Sequence, residues 1–89
     1  MTLELEIEHK ADKFAKEQGF LVRKAKWIGR RGAPDKLYSR ADTGPFFIEY
    51  KRPGQTLDLH QAREIERMRA AGITVHVIDN LNDVLELFA

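Results

Sequence analysis

The segment from Phe46 to Lys51, FFIEYK, decides the fold because it combines apolar and aromatic residues with two charged ones. A run of this composition predicts a β-strand, on which alternate side chains point to opposite faces. One predicted face carries Phe46, Ile48 and Tyr50, and the other carries Phe47, Glu49 and Lys51. Charges in an apolar strand cost free energy unless they are paired or bind a cation. Glu49 and Lys51 are therefore either a structural ion pair or part of a cation site.

The flanking segments alternate between strand-like runs and helical periodicity. The predicted elements are a helix at 2–18, strands at 20–27, 36–39 and 46–51, a helix at 57–71, a strand at 73–78 and a helix at 80–88. A hairpin followed by a helical crossover predicts an α/β domain of order α-β-β-β-α-β-α, with a mixed central sheet flanked by helices. The β-branched run at 73–78 predicts a strand buried on both faces. No linker or repeat divides the chain, so residues 1–89 are expected to form a single domain.

The composition excludes several classes of protein. The chain has 89 residues, 43% hydrophobic and 33% charged, and it contains no cysteine. This excludes a disulfide scaffold, thiolate zinc sites and cysteine catalysis. No apolar run approaches the ~20 residues needed to span a bilayer, and the N-terminal sequence MTLELEIEHK lacks the features of a secretory signal. We therefore expect a cytoplasmic protein with no membrane partner.

The net charge of +1 conceals a strongly basic segment at residues 21–40, which carries seven basic residues against a single acidic one. Clustered Lys and Arg are typical of proteins that bind the phosphates of nucleic acids, although a solvated basic face without a partner gives the same pattern. We call this segment the basic belt; its members are Arg23, Lys24, Lys26, Arg30, Arg31, Lys36 and Arg40.

Asp35 changes the interpretation of the charged pair on the strand. It begins the segment that precedes FFIEYK, and a hairpin through residues 40–45 would place it opposite the Glu49 end of the strand. Two carboxylates would then converge beside the ammonium of Lys51, an arrangement that favours a bound cation. Oxygen ligands of this kind suit Mg²⁺ or Mn²⁺. The alternative is that Asp35 is only a turn or capping residue.

These residues resemble a known family. Gly32-Ala33-Pro34-Asp35 followed by Ile48-Glu49-Tyr50-Lys51 is similar to the motifs of the PD-(D/E)XK nuclease superfamily. The closer resemblance is to its stand-alone VRR-NUC branch, and it covers nearly the whole chain in order and spacing. It includes an N-terminal helix with glutamates that ends at Gly19, then Gly29–Gly32, Arg52–Gly54, Leu57-x-x-x-Gln61 and Ala70–Gly72. The resemblance implies a restriction-endonuclease-like fold.

The resemblance also implies roles for individual residues. Asp35 and Glu49 match the metal-binding carboxylates, and the backbone carbonyl of Tyr50 would be a further metal ligand. Lys51 matches the catalytic lysine, which orients or deprotonates the attacking water or stabilises developing charge. Gln61 matches a glutamine of the following helix that faces the active site. The expected cofactor is Mg²⁺ or Mn²⁺.

A glutamate of the first helix completes the metal site in similar proteins. Helical geometry places Glu4 and Glu8 beside the apolar face of the predicted helix, whereas Glu6 points away from it. The distance from Glu8 to Gly19 fits the family spacing better. Glu8 is therefore the first choice and Glu4 the second.

The function implied is that of a metal-dependent, structure-specific DNA endonuclease. A small stand-alone domain of this kind resembles enzymes that resolve four-way (Holliday) junctions as homodimers, and a two-fold dimer suits the two nicks such a junction requires. We expect it to act in the cytoplasm of a bacterial or phage-infected host cell. The flexible loop Gly29–Pro34 and five belt residues would hold DNA phosphates: Arg23, Lys24, Lys26, Arg30 and Arg31. The alternatives are a less selective flap or nicking nuclease and a non-catalytic DNA-binding module.

Overall fold

The computed structural model describes residues 1–89 as three helices and four strands. In chain order these are α1 (Leu3–Glu17), β1 (Leu21–Lys24), β2 (Lys36–Arg40), β3 (Gly44–Tyr50), α2 (Leu59–Ala70), β4 (Val75–Ile78) and α3 (Leu81–Phe88). The α/β class and the predicted α-β-β-β-α-β-α order are confirmed. None of the three helices has the length and apolar character needed to cross a lipid bilayer.

The sheet has the strand order β1-β2-β3-β4 and is mixed. The β1–β2 and β2–β3 ladders are antiparallel, whereas β3 and β4 are parallel because α2 carries the chain back across the sheet. The β2–β3 register pairs Lys36 with Ile48, which places Asp35 beside Glu49 at the end of the hairpin.

Side-chain caps set the beginnings of the helices. Thr2 accepts a hydrogen bond from Leu5 N at the start of α1, and Asn80 accepts one from Asp83 N at the start of α3. At α2, Asp58 accepts a hydrogen bond from Gln61 N at 2.9 Å, which satisfies a backbone donor of the first turn. The helix therefore begins at Leu59, two residues after the predicted start.

Helices cover both faces of the sheet and create two apolar clusters. The larger cluster joins α1 and α3 to the sheet face that carries Phe46, Ile48 and Tyr50. The smaller one joins Ile65 and Met68 of α2 to Val75, with Phe47 packed against it. The predicted division of FFIEYK between two faces is therefore confirmed.

The fourth strand differs from the prediction. It begins at Val75 instead of Ile73, and Val77 is 38% exposed. The prediction of a strand buried on both faces holds for Val75, which packs under α2, and for Ile78, which belongs to the larger cluster. It fails at Val77, since β4 lies at the edge of the sheet. A β-branched run fits an edge position as well as a central one, so composition alone does not distinguish them.

Candidate active site

Asp35 and Glu49 meet at the point where β3 ends. The Tyr50 backbone N–H donates a hydrogen bond to Asp35 Oδ2 at 2.8 Å, so the carboxylate is fixed against the β3 backbone. Burial raises the pKa of Asp35 above its ordinary value, although this hydrogen bond and the charge of Lys51 oppose the shift. The hairpin register thus brings together the two carboxylates that the sequence predicted.

Glu49 is the most enclosed charged group of the site, with only 3% of its side chain exposed. Its Oε2 atom lies 3.3 Å from Lys51 Nζ and accepts a hydrogen bond from Gln61 Nε2 at 2.8 Å. Its Oε1 atom is buried and has no hydrogen-bond partner. Burial and the nearby Asp35 charge raise the pKa of Glu49 to about 7, against the opposing charge of Lys51.

The cap of α2 positions Gln61. Its Oε1 accepts a hydrogen bond from Asp58 N at 3.2 Å, while its backbone N–H donates to the Asp58 carboxylate. This capping box fixes the side-chain amide, which leaves Nε2 free to donate to Glu49. The same glutamine therefore takes part in the cap of α2 and orients the buried carboxylate.

The residues of this site fit a divalent cation. A buried carboxylate oxygen normally has a hydrogen-bond donor or a cation beside it. Glu49 Oε1 is buried next to a second carboxylate and has no such partner. Carboxylate and carbonyl oxygens are the donors that Mg²⁺ and Mn²⁺ prefer. As the side chains are arranged, no group of three or more His, Cys, Asp or Glu residues converges on one point. The candidate ligand set is thus a pair of carboxylates, Asp35 and Glu49.

Asp35 and Glu49 line a cavity with a volume of about 430 Å³. Helix α1 contributes Glu4 and Glu8 to the wall of this cavity. Glu6 lies elsewhere, as its place on the helix predicted. Glu8 forms an ion pair with Lys36 Nζ at 3.7 Å, and burial raises its pKa. Glu8 thus faces the site while its carboxylate is held by a lysine.

Behind the site lies a polar network that the sequence did not reveal. Lys36 Nζ also contacts Asp12 at 2.9 Å, and Asp12 accepts a hydrogen bond from the Tyr38 hydroxyl at 2.6 Å. The hydroxyls of Tyr38 and Tyr50 share a further hydrogen bond of 2.6 Å. The network joins α1, β2 and β3, and it ends at Tyr50, the residue between Glu49 and Lys51. The sequence analysis named Lys36 as part of the basic belt and Tyr50 as a metal ligand, but nothing in the sequence indicated that Asp12 and Tyr38 connect them.

Some residues of the basic belt have no side-chain partner, whereas others contact residues of α2. Arg23, Lys24 and Lys26 are exposed. Arg30 forms an ion pair with the buried Glu64 at 3.4 Å, and Arg31 contacts His60 at the same distance. The segment 29–34 has no regular secondary structure, as the expected turn or loop requires, and it contacts α2 through Arg30 and Arg31. Gly32 permits this approach because a Cβ there would lie 2.5 Å from the His60 carbonyl oxygen.

The fold and the site together define a nuclease of the restriction-endonuclease-like class, and comparisons with known proteins agree. A solved structure described as a "VRR_NUC domain" matches with a TM-score of 0.88 and 35% sequence identity, over 98% of this chain and 95% of the other. The chain belongs to the VRR-NUC family. No protein-family model matches it.

A curated relative is named "Putative nuclease p44" and comes from Acyrthosiphon pisum secondary endosymbiont phage 1. It is 40% identical over 52 residues, which is 58% of this chain and 56% of that protein. The chain thus spans about half the length of the curated relative it matches. The relative supports the nuclease assignment given by the structural match.

The raised pKa of Glu49 predicts an unusual dependence of stability on pH. The folded protein holds this proton more tightly than the unfolded chain does. The resulting stabilisation is complete below pH ~4.5 and is lost as the pH rises through about 7. In metal-free protein, Glu49→Gln should therefore become more stable relative to wild type between pH 5 and pH 8, by roughly 1–3 kcal/mol.

Urea unfolding in EDTA at these two pH values measures the difference. Comparison with Glu49→Gln removes the contributions of Glu8 and His76, which are common to both proteins, and measures Glu49 together with its coupling to Asp35. A gap between wild type and variant that stays constant from pH 5 to pH 8 would contradict the predicted pKa.

Proposed function

We propose that this protein is a divalent-metal-dependent DNA endonuclease whose reaction is carried out at Asp35, Glu49 and Lys51. The observation that carries the proposal is the buried, unpartnered Oε1 of Glu49 beside a second carboxylate and an ammonium. A protein that only bound DNA would gain nothing from carboxylates placed near phosphates. Their presence at one end of β3 favours hydrolysis over simple binding.

In the proposed reaction, a water oxygen attacks phosphorus, a P–O bond to one sugar breaks, and a proton from the water passes to the leaving oxygen. Asp35, Glu49 and the Tyr50 carbonyl would hold Mg²⁺ or Mn²⁺, with Glu8 or Glu4 added through α1. The bound ion would activate the water and neutralise phosphoryl charge.

The remaining residues position these groups. Lys51 has 10% of its side chain exposed, so its charge acts across a poorly solvated site where electrostatic stabilisation is strong. It would face the attacking water or the developing charge on phosphorus. Gln61 holds Glu49 through Oε2, so that Oε1 would be available to the cation.

DNA would be held through its phosphates by the exposed residues of the basic belt. Arg23, Lys24 and Lys26 are free of ion pairs, and Lys24 lies close enough to lower the pKa of Asp35. Arg30 and Arg31 would join them if phosphate replaced Glu64 and His60 as their partners. Such contacts bind the backbone without selecting a sequence.

The substrate we propose is a branched DNA, above all the four-way junction, cut by a homodimer. A dimer with two-fold symmetry would present two active sites to opposed strands. The similarity to a phage protein supports a role in the cytoplasm of a bacterial or phage-infected cell. A flap or nicking nuclease of lower selectivity is the second possibility.

The test compares an end-labelled four-way junction, a flap and a linear duplex of the same sequences, each with Mn²⁺. Paired symmetric nicks in the junction, with the duplex intact, are expected. Equal cutting of all three DNAs would contradict junction resolution but retain the nuclease. Junction binding without any cutting would support a DNA-binding module instead. Sedimentation of the free protein and of its junction complex measures whether it is a dimer.

A further inference from the structure

Ile28 is 97% exposed, more than any other large hydrophobic residue of the protein. Single exposed apolar side chains are common on protein surfaces and need no special explanation. Ile28 differs because it lies in the loop that joins β1 to β2, among the basic residues Lys26, Arg30 and Arg31, and because its neighbours on both sides contact the rest of the fold.

The residues on either side of Ile28 contact the rest of the fold. Trp27 packs edge to face on Phe47, with 6.0 Å between ring centroids, and belongs to the apolar cluster under α2. Beyond Ile28, Arg30 pairs with Glu64, and Gly32 packs closely against the backbone of His60. With these contacts formed, the loop presents Ile28 to solvent.

The base of the loop lies at the candidate active site. Ala25 N–H donates a hydrogen bond to the Asp35 carbonyl at 3.0 Å, which closes the loop directly at the first carboxylate residue. On the other side of the loop, Gly32 packs against His60. The next residue, Gln61, donates a hydrogen bond to Glu49. Ile28 is thus an apolar group on a basic loop that begins and ends beside the proposed catalytic carboxylates.

We propose that Ile28 is a wedge that inserts between unstacked bases at the branch point of a DNA junction. Basic proteins that bend or open DNA insert apolar side chains, isoleucine among them, between base steps while Lys and Arg hold the phosphates. Lys26 and Arg31, both exposed, flank Ile28 and supply that charge. A branch point suits such a wedge because its bases are the easiest to unstack. The inference rests on the proposed function in taking branched DNA as the substrate, but it does not require that the protein cuts it.

The experiment places 2-aminopurine, which fluoresces when unstacked, at the branch point of a four-way junction and in a matched linear duplex. Binding is followed in EDTA, so that no cleavage is required. Wild type should raise the junction signal, and Ile28→Ala should abolish most of that rise and weaken junction binding by about tenfold. Duplex binding should change by less than about twofold. Ile28→Leu should restore the signal, and Ile73→Ala, which shortens a partly exposed isoleucine outside this loop, should behave as wild type.

An unchanged fluorescence rise in Ile28→Ala would overturn the wedge, whether or not the protein cuts DNA. A change in the sedimentation mass of the free protein on Ile28→Ala would assign the residue to a subunit contact and would also overturn it. Cleavage is measured separately with Mn²⁺. A protein that unstacks the branch through Ile28 but never cuts would support the wedge and contradict the proposed nuclease.

Discussion

Replacement of Lys51 by methionine should reduce the single-turnover rate of DNA cleavage by about 10³-fold, the size of effect seen when a preorganised donor to developing charge is removed. Methionine retains much of the side-chain volume, so the largely buried position remains filled. DNA affinity should change little, because Lys51 is buried beside Glu49 and lies outside the exposed part of the basic belt.

Lys16→Met is the matched control, since Lys16 is exposed on α1 and forms no ion pair. It should cut at the wild-type rate. The two variants are compared at saturating enzyme with a labelled junction and Mn²⁺. If Lys51→Met cuts at a rate within about fivefold of the wild-type rate, Lys51 does not take part in the reaction.

Phe88→Ala should cost about 3–5 kcal/mol of the free energy of unfolding, the range found for large-to-small changes at buried aromatic residues. Phe88 is completely buried and contacts the rings of Tyr38 and Phe20, with centroid distances of 4.8 and 5.1 Å. A domain of this size has a total stability of only about 4–13 kcal/mol. The melting temperature should therefore fall by at least about 12 °C.

Glu86→Ala, an exposed change on the same helix, should leave the free energy of unfolding within about 0.5 kcal/mol of wild type. Thermal unfolding followed by circular dichroism measures both. A melting temperature for Phe88→Ala within a few degrees of wild type would mean that α3 does not seal the larger apolar cluster. Tyr38 belongs to that cluster and forms a hydrogen bond with Tyr50. The packing of Phe88 therefore also supports the polar network next to the site.

The proximity of Asp35 and Glu49 could be predicted from local sequence because it depends on one short turn. Residues 40–45 fold β2 against β3, and the resulting register brings Asp35 to Glu49 with no contribution from distant elements. Gln61 could be placed toward the site only from the family resemblance. Its second role, in the cap of α2, explains why the helix begins at Leu59 instead of residue 57.

Other features depend on how distant segments dock, which periodicity does not encode. The close approach of Gly32 to His60 joins residues far apart in sequence and requires α2 to be in place. Two glycines and a proline in the segment 29–34 predict a turn or flexible loop, but composition does not show that this loop contacts α2. The pairing of Glu8 with Lys36 depends in the same way on α1 crossing the sheet beside β2.

The central claim is that Asp35 and Glu49 support metal-dependent hydrolysis of DNA. The most direct measurement is the cleavage rate of a labelled four-way junction, with Mn²⁺ titrated from zero, for wild type and Asp35→Asn at equal DNA occupancy. Cleavage by wild type that rises with Mn²⁺ and is absent in EDTA, together with a loss of at least about 10³-fold in Asp35→Asn, is the predicted result. Cleavage that persists in Asp35→Asn, or that does not depend on the metal, would contradict the claim.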